Sequence, residues 1–397
     1  MPKISKKGQE LPSSPIRKLV SHADEAKSRG LEVLHLNIGQ PDIGAPREAM
    51  EVVRNQNLKL LPYGSSQGAL SYRTKLCQYY DRHSISVEPD DIIVTTGASE
   101  ALSFILNVIC DAGDEIIIPE PFYANYNGFA AAASIQVVPV VSHFDTQFEL
   151  PPMEKLKESV THKTRAILIC NPSNPTGYLY SKREIKDLID LAVASNIFII
   201  VDEVYREFIY TDDSHYSVLN SKKGSQNAVM IDSVSKRYSL CGARVGCMIS
   251  KNKELMATAL KFAHLRLSPP TLALMASEAA ITASKSYLDN VKNEYEKRKN
   301  ITIAALEKIE GVEVSNPKGA FYCIAKLPVD NAEDFSKFLL TDFNDHGQTV
   351  MLAPAAGFYS SPELGKDQVR LAFVLESGKL KRAAEILEKA LQVFNNS

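Results

Sequence analysis

Between residues 90 and 250 the chain alternates short β-branched runs with stretches of helical character, and no other feature limits its possible folds as strongly. Residues 91–95 lead through Gly97 into a helical stretch over 99–110. Residues 115–118 precede a helix through 130–133. The runs 135–141 and 165–170 follow, then a helix over 181–195, then the runs 197–201, 229–234 and 245–250. Runs that stay apolar at successive positions belong to strands covered on both faces, and helices between them predict a mostly parallel sheet. The expected class is α/β, with seven strands in one sheet lying between helices.

The rest of the chain reads differently. Residues 1–35 are polar and broken by Pro2, Pro12 and Pro15, with one amphipathic stretch over 16–28, which suggests an arm and a helix. Over 284–310, Leu288, Val291, Tyr295, Thr302, Ala305 and Ile309 recur at helical spacing until Gly311 stops the pattern. Short strands (312–315, 321–326, 348–352, 368–373) and helices (332–341, 378–394) then predict a small α+β domain. The expected division is an N-terminal arm with part of the small domain over 1–45, a large domain over 46–284, and an interdomain helix with the small domain over 285–397.

Charge and cysteine content exclude several functions. With 45 basic and 47 acidic residues the net charge is −2, which leaves no electrostatic footprint for nucleic acid and no reason to expect a membrane surface. No apolar run is long enough to span a bilayer, and the first residues lack the apolar core of a secretory signal. The six cysteines (77, 110, 170, 241, 247, 323) form no Cys-x-x-Cys pair and have no histidine cluster beside them. Free thiols in a reducing, cytoplasmic setting are expected, without a metal site.

The candidate chemistry sits at the ends of the β-runs. Lys236 lies in Ser233-Val234-Ser235-Lys236, just before Cys241-Gly242-Ala243-Arg244-Val245-Gly246. A lone lysine is usually a solvated charge; this one follows an apolar strand and precedes a glycine-rich segment. Asp202 ends another apolar run. A carboxylate there needs a partner, and a protonated pyridine nitrogen would serve, although a capping or salt-bridging aspartate is an equal reading of that segment alone. Tyr205 follows with a phenol. Gly97-Ala98-Ser99 stands where a strand gives way to a helix, a place where free N–H groups bind phosphate, unless Ser99 is only an N-cap. Ser233 and Arg244 could complete a phosphate cup. Asn174, in the rigid loop Asn171-Pro172-Ser173-Asn174-Pro175-Thr176-Gly177, would line a crevice at the carboxyl ends of the strands. An amine, an acid, a phenol and an anion cup together suit a lysine that forms a Schiff base with pyridoxal 5'-phosphate.

Taken in order, these strings resemble the class I/II aminotransferases, pyridoxal-phosphate enzymes of fold type I, aspartate aminotransferase-like in pattern. The likeness runs from Leu36-Asn37-Ile38-Gly39-Gln40-Pro41-Asp42 to Val369-Arg370-Leu371. It implies that Lys236 holds the cofactor and shuttles the proton, and that Asp202 holds the pyridine nitrogen. Tyr205 and Asn174 would hold the ring oxygen. Gly97, Ala98, Ser99, Ser233 and Arg244 would hold the phosphate, and Tyr123 would stack on the ring. Arg370 would grip the substrate α-carboxylate with Gly39 and Asn174 beside it. Tyr63 would reach the phosphate of a neighbouring subunit in a homodimer with shared sites. The implied reaction moves an amino group from an L-amino acid, aspartate-type favoured, to a 2-oxo acid such as 2-oxoglutarate. A C–S β-lyase or an aminocyclopropane-carboxylate-type synthase is the alternative on the same fold.

Two departures bear on the pocket. Arg266, in Arg266-Leu267-Ser268-Pro269-Pro270, could clamp a second substrate carboxylate, but a surface or dimer salt bridge is the favoured reading. Pro354-Ala355-Ala356-Gly357-Phe358 replaces a commoner Pro-Gly-x-x-Phe form and alters one wall.

Overall fold

The computed structural model of the chain describes residues 2–12, 14–361 and 363–396. Its large sheet contains β2 (Ile92–Thr95), β3 (Glu115–Glu120), β4 (Gln136–Val141), β5 (Thr164–Cys170), β6 (Phe198–Asp202), β7 (Ala228–Ser233) and β8 (Gly246–Ile249), whereas β1 (Glu32–His35) lies elsewhere. The seven strands run in the order β2-β8-β7-β6-β5-β3-β4. All neighbours are parallel except β8, which is antiparallel to both β2 and β7. The mostly parallel seven-stranded sheet expected from the sequence is therefore present. The direction of β8 could not be read, because a β-branched run carries no sign of which way it points.

Both faces of the sheet are covered along the middle of the strands, which is why apolar side chains there point to both sides. Ile199 and Val201 pack on one side with Ile185, Leu188 and Ala192 of the helix Lys182–Ala194. Ile200 packs on the other with Ala101, Ile105 and Leu106 of the helix Gly97–Ile109. Each fully buried isoleucine contributes roughly 1.5–3 kcal/mol relative to exposure. The helix Lys182–Ala194 opens with a capping box, in which Ser181 and Glu184 satisfy each other's backbone N–H groups.

A second core lies under β9 (Glu313–Val314), β10 (Tyr322–Lys326), β11 (Gln348–Met351), β12 (Ala353–Pro354) and β13 (Gln368–Ala372). Four of these form an antiparallel sheet in the order β12-β13-β10-β9. The fifth, β11, pairs in parallel with β1. Leu34 and Leu36 pack here with Phe321, Phe335, Val350 and Leu387. The long helix is Lys285–Leu306, shorter than its apolar repeat suggests, since residues 307–311 turn before Gly311 reverses the chain at φ +76°. Its Tyr287 packs against both large cores. The amphipathic stretch near the N-terminus becomes helical only at Val20–Ser28.

Candidate active site

The segments after β2, β3, β5, β6 and β7 meet the second sheet across a cavity of about 510 Å³. Its walls include Gly39, Ala98, Ser99, Tyr123, Asn174, Asp202, Tyr205, Ser233, Lys236, Arg244 and Arg370. Two sequence candidates do not line it. Gly97 lies just behind, and Tyr63 is 81% exposed, away from the cavity.

Lys236 rides on the short turn after β7. Its Nζ donates to the Gly39 carbonyl at 2.8 Å and lies 3.9 Å from the Cys241 Sγ. Across the floor, Asp202 ends β6 and is 5% exposed. Burial pushes its carboxyl up to about 6, while the Tyr126 hydroxyl (2.9 Å) and the Val204 N–H (3.3 Å) oppose the shift. Among the described residues it has no ion-pair partner and caps no helix, so neither bland reading of Asp202 holds.

One end of the cavity gathers a helix start, two serines and an arginine. Gly97 opens its helix at φ +73°, and a side chain there would come within 2.5 Å of the Arg244 Nη2, so only glycine lets the guanidinium close on the helix start. The N-cap position is Thr96, so the Ser99 hydroxyl is not spent on capping. Ser233 Oγ faces the same end, 2.9 Å from Ser235 Oγ and from the Val245 carbonyl. Arg244 is exposed; its one side-chain bond among the described residues goes to the nearby Cys241 carbonyl at 3.0 Å.

The opposite end is buried and already ordered. Arg370, on β13, is 1% exposed. Its guanidinium donates to Asn174 Oδ1 at 2.9 Å and to the Asn37 carbonyl, and lies 4.5 Å from the Tyr322 ring centre. Its Nε has no partner among the described residues, which leaves a donor for a further anion. Tyr205 shares a 2.9 Å hydroxyl contact with Tyr322 and sits 3.5 Å from Asn174 Nδ2. A side chain at Gly39 would collide with the Tyr322 hydroxyl, which explains glycine there.

Several of these groups were not anticipated from the sequence. Tyr126 lies three residues after Tyr123 near the start of the helix Asn125–Ala132, and that spacing was its only signal. Tyr322 and Asn37 reach the site through contacts 117 and 333 residues apart in sequence. Arg266 is placed elsewhere. It binds Glu100 at 2.9 Å and the Ser66 carbonyl at 2.8 Å, in an ion pair inside one chain that leaves no free fork for a substrate.

The model of the family described as aminotransferase class I and II matches residues 32–387. The chain belongs to that family. An aspartate aminotransferase of Bacillus subtilis is 30% identical over 98% of this chain and 99% of its own length. A (5-formylfuran-3-yl)methyl phosphate transaminase of Methanocaldococcus jannaschii is 29% identical over 98% of this chain and 99% of its own. The crystal structure of an aspartate aminotransferase from Thermotoga maritima superposes with a TM-score of 0.89 at 30% identity, covering 99% of this chain and all of that one. This aminotransferase is thus similar over nearly its whole length to relatives named for different substrates. Among the described residues no helix is long and apolar enough to cross a membrane, and no cluster of potential ligands could hold a metal ion.

Proposed function

We propose that this aminotransferase carries pyridoxal 5'-phosphate on Lys236 and moves an amino group from an aspartate-type L-amino acid to a 2-oxo acid, with 2-oxoglutarate as acceptor. The observation that carries the proposal is Asp202, a carboxylate buried with no ion-pair partner among the described residues, on the floor of the cavity that Lys236 also lines. A protonated ring nitrogen would supply the missing charge. The cofactor's other groups also find fitting residues. Gly97, Ala98, Ser99, Ser233 and Arg244 suit its phosphate, Tyr205 and Asn174 its ring oxygen, and Tyr123 its ring face.

When bound, the cofactor supplies an electron sink for the bond to the substrate α-hydrogen. The protein does the rest. Arg370 holds the α-carboxylate through its two-pronged guanidinium, oriented by Asn174 and Asn37. Gly39 keeps that wall open. Lys236 Nζ would take the α-proton and return it to the cofactor carbon on the far side of the amino nitrogen, a positioned transfer that contributes about 10²–10⁴-fold in rate. Asp202 would hold the ring nitrogen in its protonated form.

The assembly belongs to the same proposal. Leu60, Leu61 and Tyr63 are all strongly exposed, which suits a homodimer in which Tyr63 completes the partner's phosphate site. The three-part division near residues 45 and 284, and a cytoplasmic location, accompany this reading.

A half-reaction tests it. Each amino acid is added singly to the purified holoenzyme, without acceptor, and the visible absorbance of the cofactor is followed. Conversion to the amine form by aspartate, reversed by 2-oxoglutarate, is expected. No discharge by any amino acid would sink the reading, and release of ammonia with pyruvate would favour the β-lyase.

A further inference from the structure

The basic side chains of the cavity do not all have the same use. Lys236, Arg244 and Arg370 are accounted for by cofactor, phosphate and α-carboxylate. One more cation lines it. Arg17 comes from the N-terminal arm, is exposed at the mouth, and has no side-chain hydrogen bond or ion pair among the described residues.

The arm that carries Arg17 is held in place. Asn37 Nδ2 donates to the Ile16 carbonyl at 3.1 Å, and the Asn37 carbonyl accepts from Arg370. One buried residue therefore joins the backbone beside Arg17 to the arginine at the α-carboxylate end. Pro15 rests where a side chain at Gly357 would stand, so the altered loop at 354–358 makes room for the arm. On the far side Lys18 pairs with Glu333 at 2.5 Å, and Leu19 is buried beside Leu340 and Met351. The arm is anchored on both flanks while the guanidinium of Arg17 stays unspent. Arg266, the other candidate for a second carboxylate, is consumed by Glu100.

We propose that Arg17 is the specificity residue that reads the side-chain carboxylate of a dicarboxylic substrate. This rests on the transaminase reading above and names the group that makes it dicarboxylate-selective. A neutral substrate would meet Ile16 and Ile38 there instead and gain nothing from the charge.

The test uses the holoenzyme with Arg17→Ala and Arg17→Lys, reading kcat and KM for aspartate and for alanine. Arg17→Ala is expected to lower kcat/KM for aspartate by about 10- to 100-fold, mainly through KM, with alanine changed less than about 3-fold. Arg17→Lys recovers part of the loss. Equilibrium binding of succinate, which cannot react, should weaken by a similar factor, and binding of butyrate should not. An unchanged aspartate-to-alanine ratio, or equal losses for both, overturns the assignment while leaving the transaminase reading intact. A wild-type holoenzyme inert toward every amino acid overturns that reading, and this one with it.

Discussion

The floor of the cavity and its rim are made by different means. The floor lies at strand ends of the seven-stranded sheet, and its charges are backed by more buried charge. Asp232 and Arg237 bracket the Lys236 turn in a 3.0 Å ion pair, with the Tyr80 hydroxyl 2.7 Å from Asp232 and the Tyr79 hydroxyl 2.7 Å from Arg237. Glu203 and Arg206 form a second buried pair beside Asp202. The rim holds Arg244 and Arg17, both exposed. Buried ion pairs cost desolvation and add little net stability, but removing one partner strands a buried charge, so each pair holds its neighbours' geometry. The floor is accordingly the part fixed in place, and the rim is the part free to change with ligand or partner.

The sharpest way to break this contrast is on the floor. Lys236→Ala removes the group assigned the proton transfer, and kcat should fall at least about 10³-fold with the fold unchanged by circular dichroism. Residual turnover within tenfold of wild type would remove Lys236 from the chemistry.

Asp202→Asn tests the same floor through stability. Its folded carboxyl stands about two pH units above an ordinary aspartate, so in the cofactor-free protein its favourable contribution is complete below about pH 4. That contribution is lost as pH rises through about 6. At pH 8 the cofactor-free Asn variant should therefore be more stable than wild type by up to roughly 3 kcal/mol in urea denaturation, and the advantage should vanish near pH 4. The same variant should lose activity. A pH-independent difference would show that Asp202 is not held as a costly, unpaired acid.

The smallest catalytic effect belongs to Arg266. Arg266→Met should cost about 2 kcal/mol of stability, because Glu100 loses its partner, and should leave the aspartate-to-alanine ratio of kcat/KM unchanged. A collapse of that ratio would restore Arg266 as a substrate clamp and weaken the case for Arg17.

The same contrast explains what the sequence made legible. Asp202, Asn174, Ser233, Lys236 and Gly97 each follow a recognisable apolar run by a few residues, so local pattern located them. The wall opposite is assembled by long-range pairing. Tyr322 meets Arg370 because Ile324 and Arg370 are register partners of β10 and β13, and Asn37 arrives by way of β1, a strand the sequence pattern did not mark. Arg17 gave no signal at all, since an exposed arginine in a polar arm looks like any solvated charge. Val234 illustrates the limit at short range, reading as strand while opening the turn that presents the lysine.

The antiparallel strand β8 has a consequence for how such a site can change. Ser233 and Gly246 stand opposite each other on one rung of the sheet, so the excursion over 234–245 leaves and returns at the same level. Insertions or deletions inside it shift no other strand pairing. Lys236 and Arg244 travel on this one closed segment, next to Ser233 at its root, like a cartridge seated in a fixed frame. The amine and the guanidinium on this segment can thus be retuned together, with the sheet that supports them left untouched.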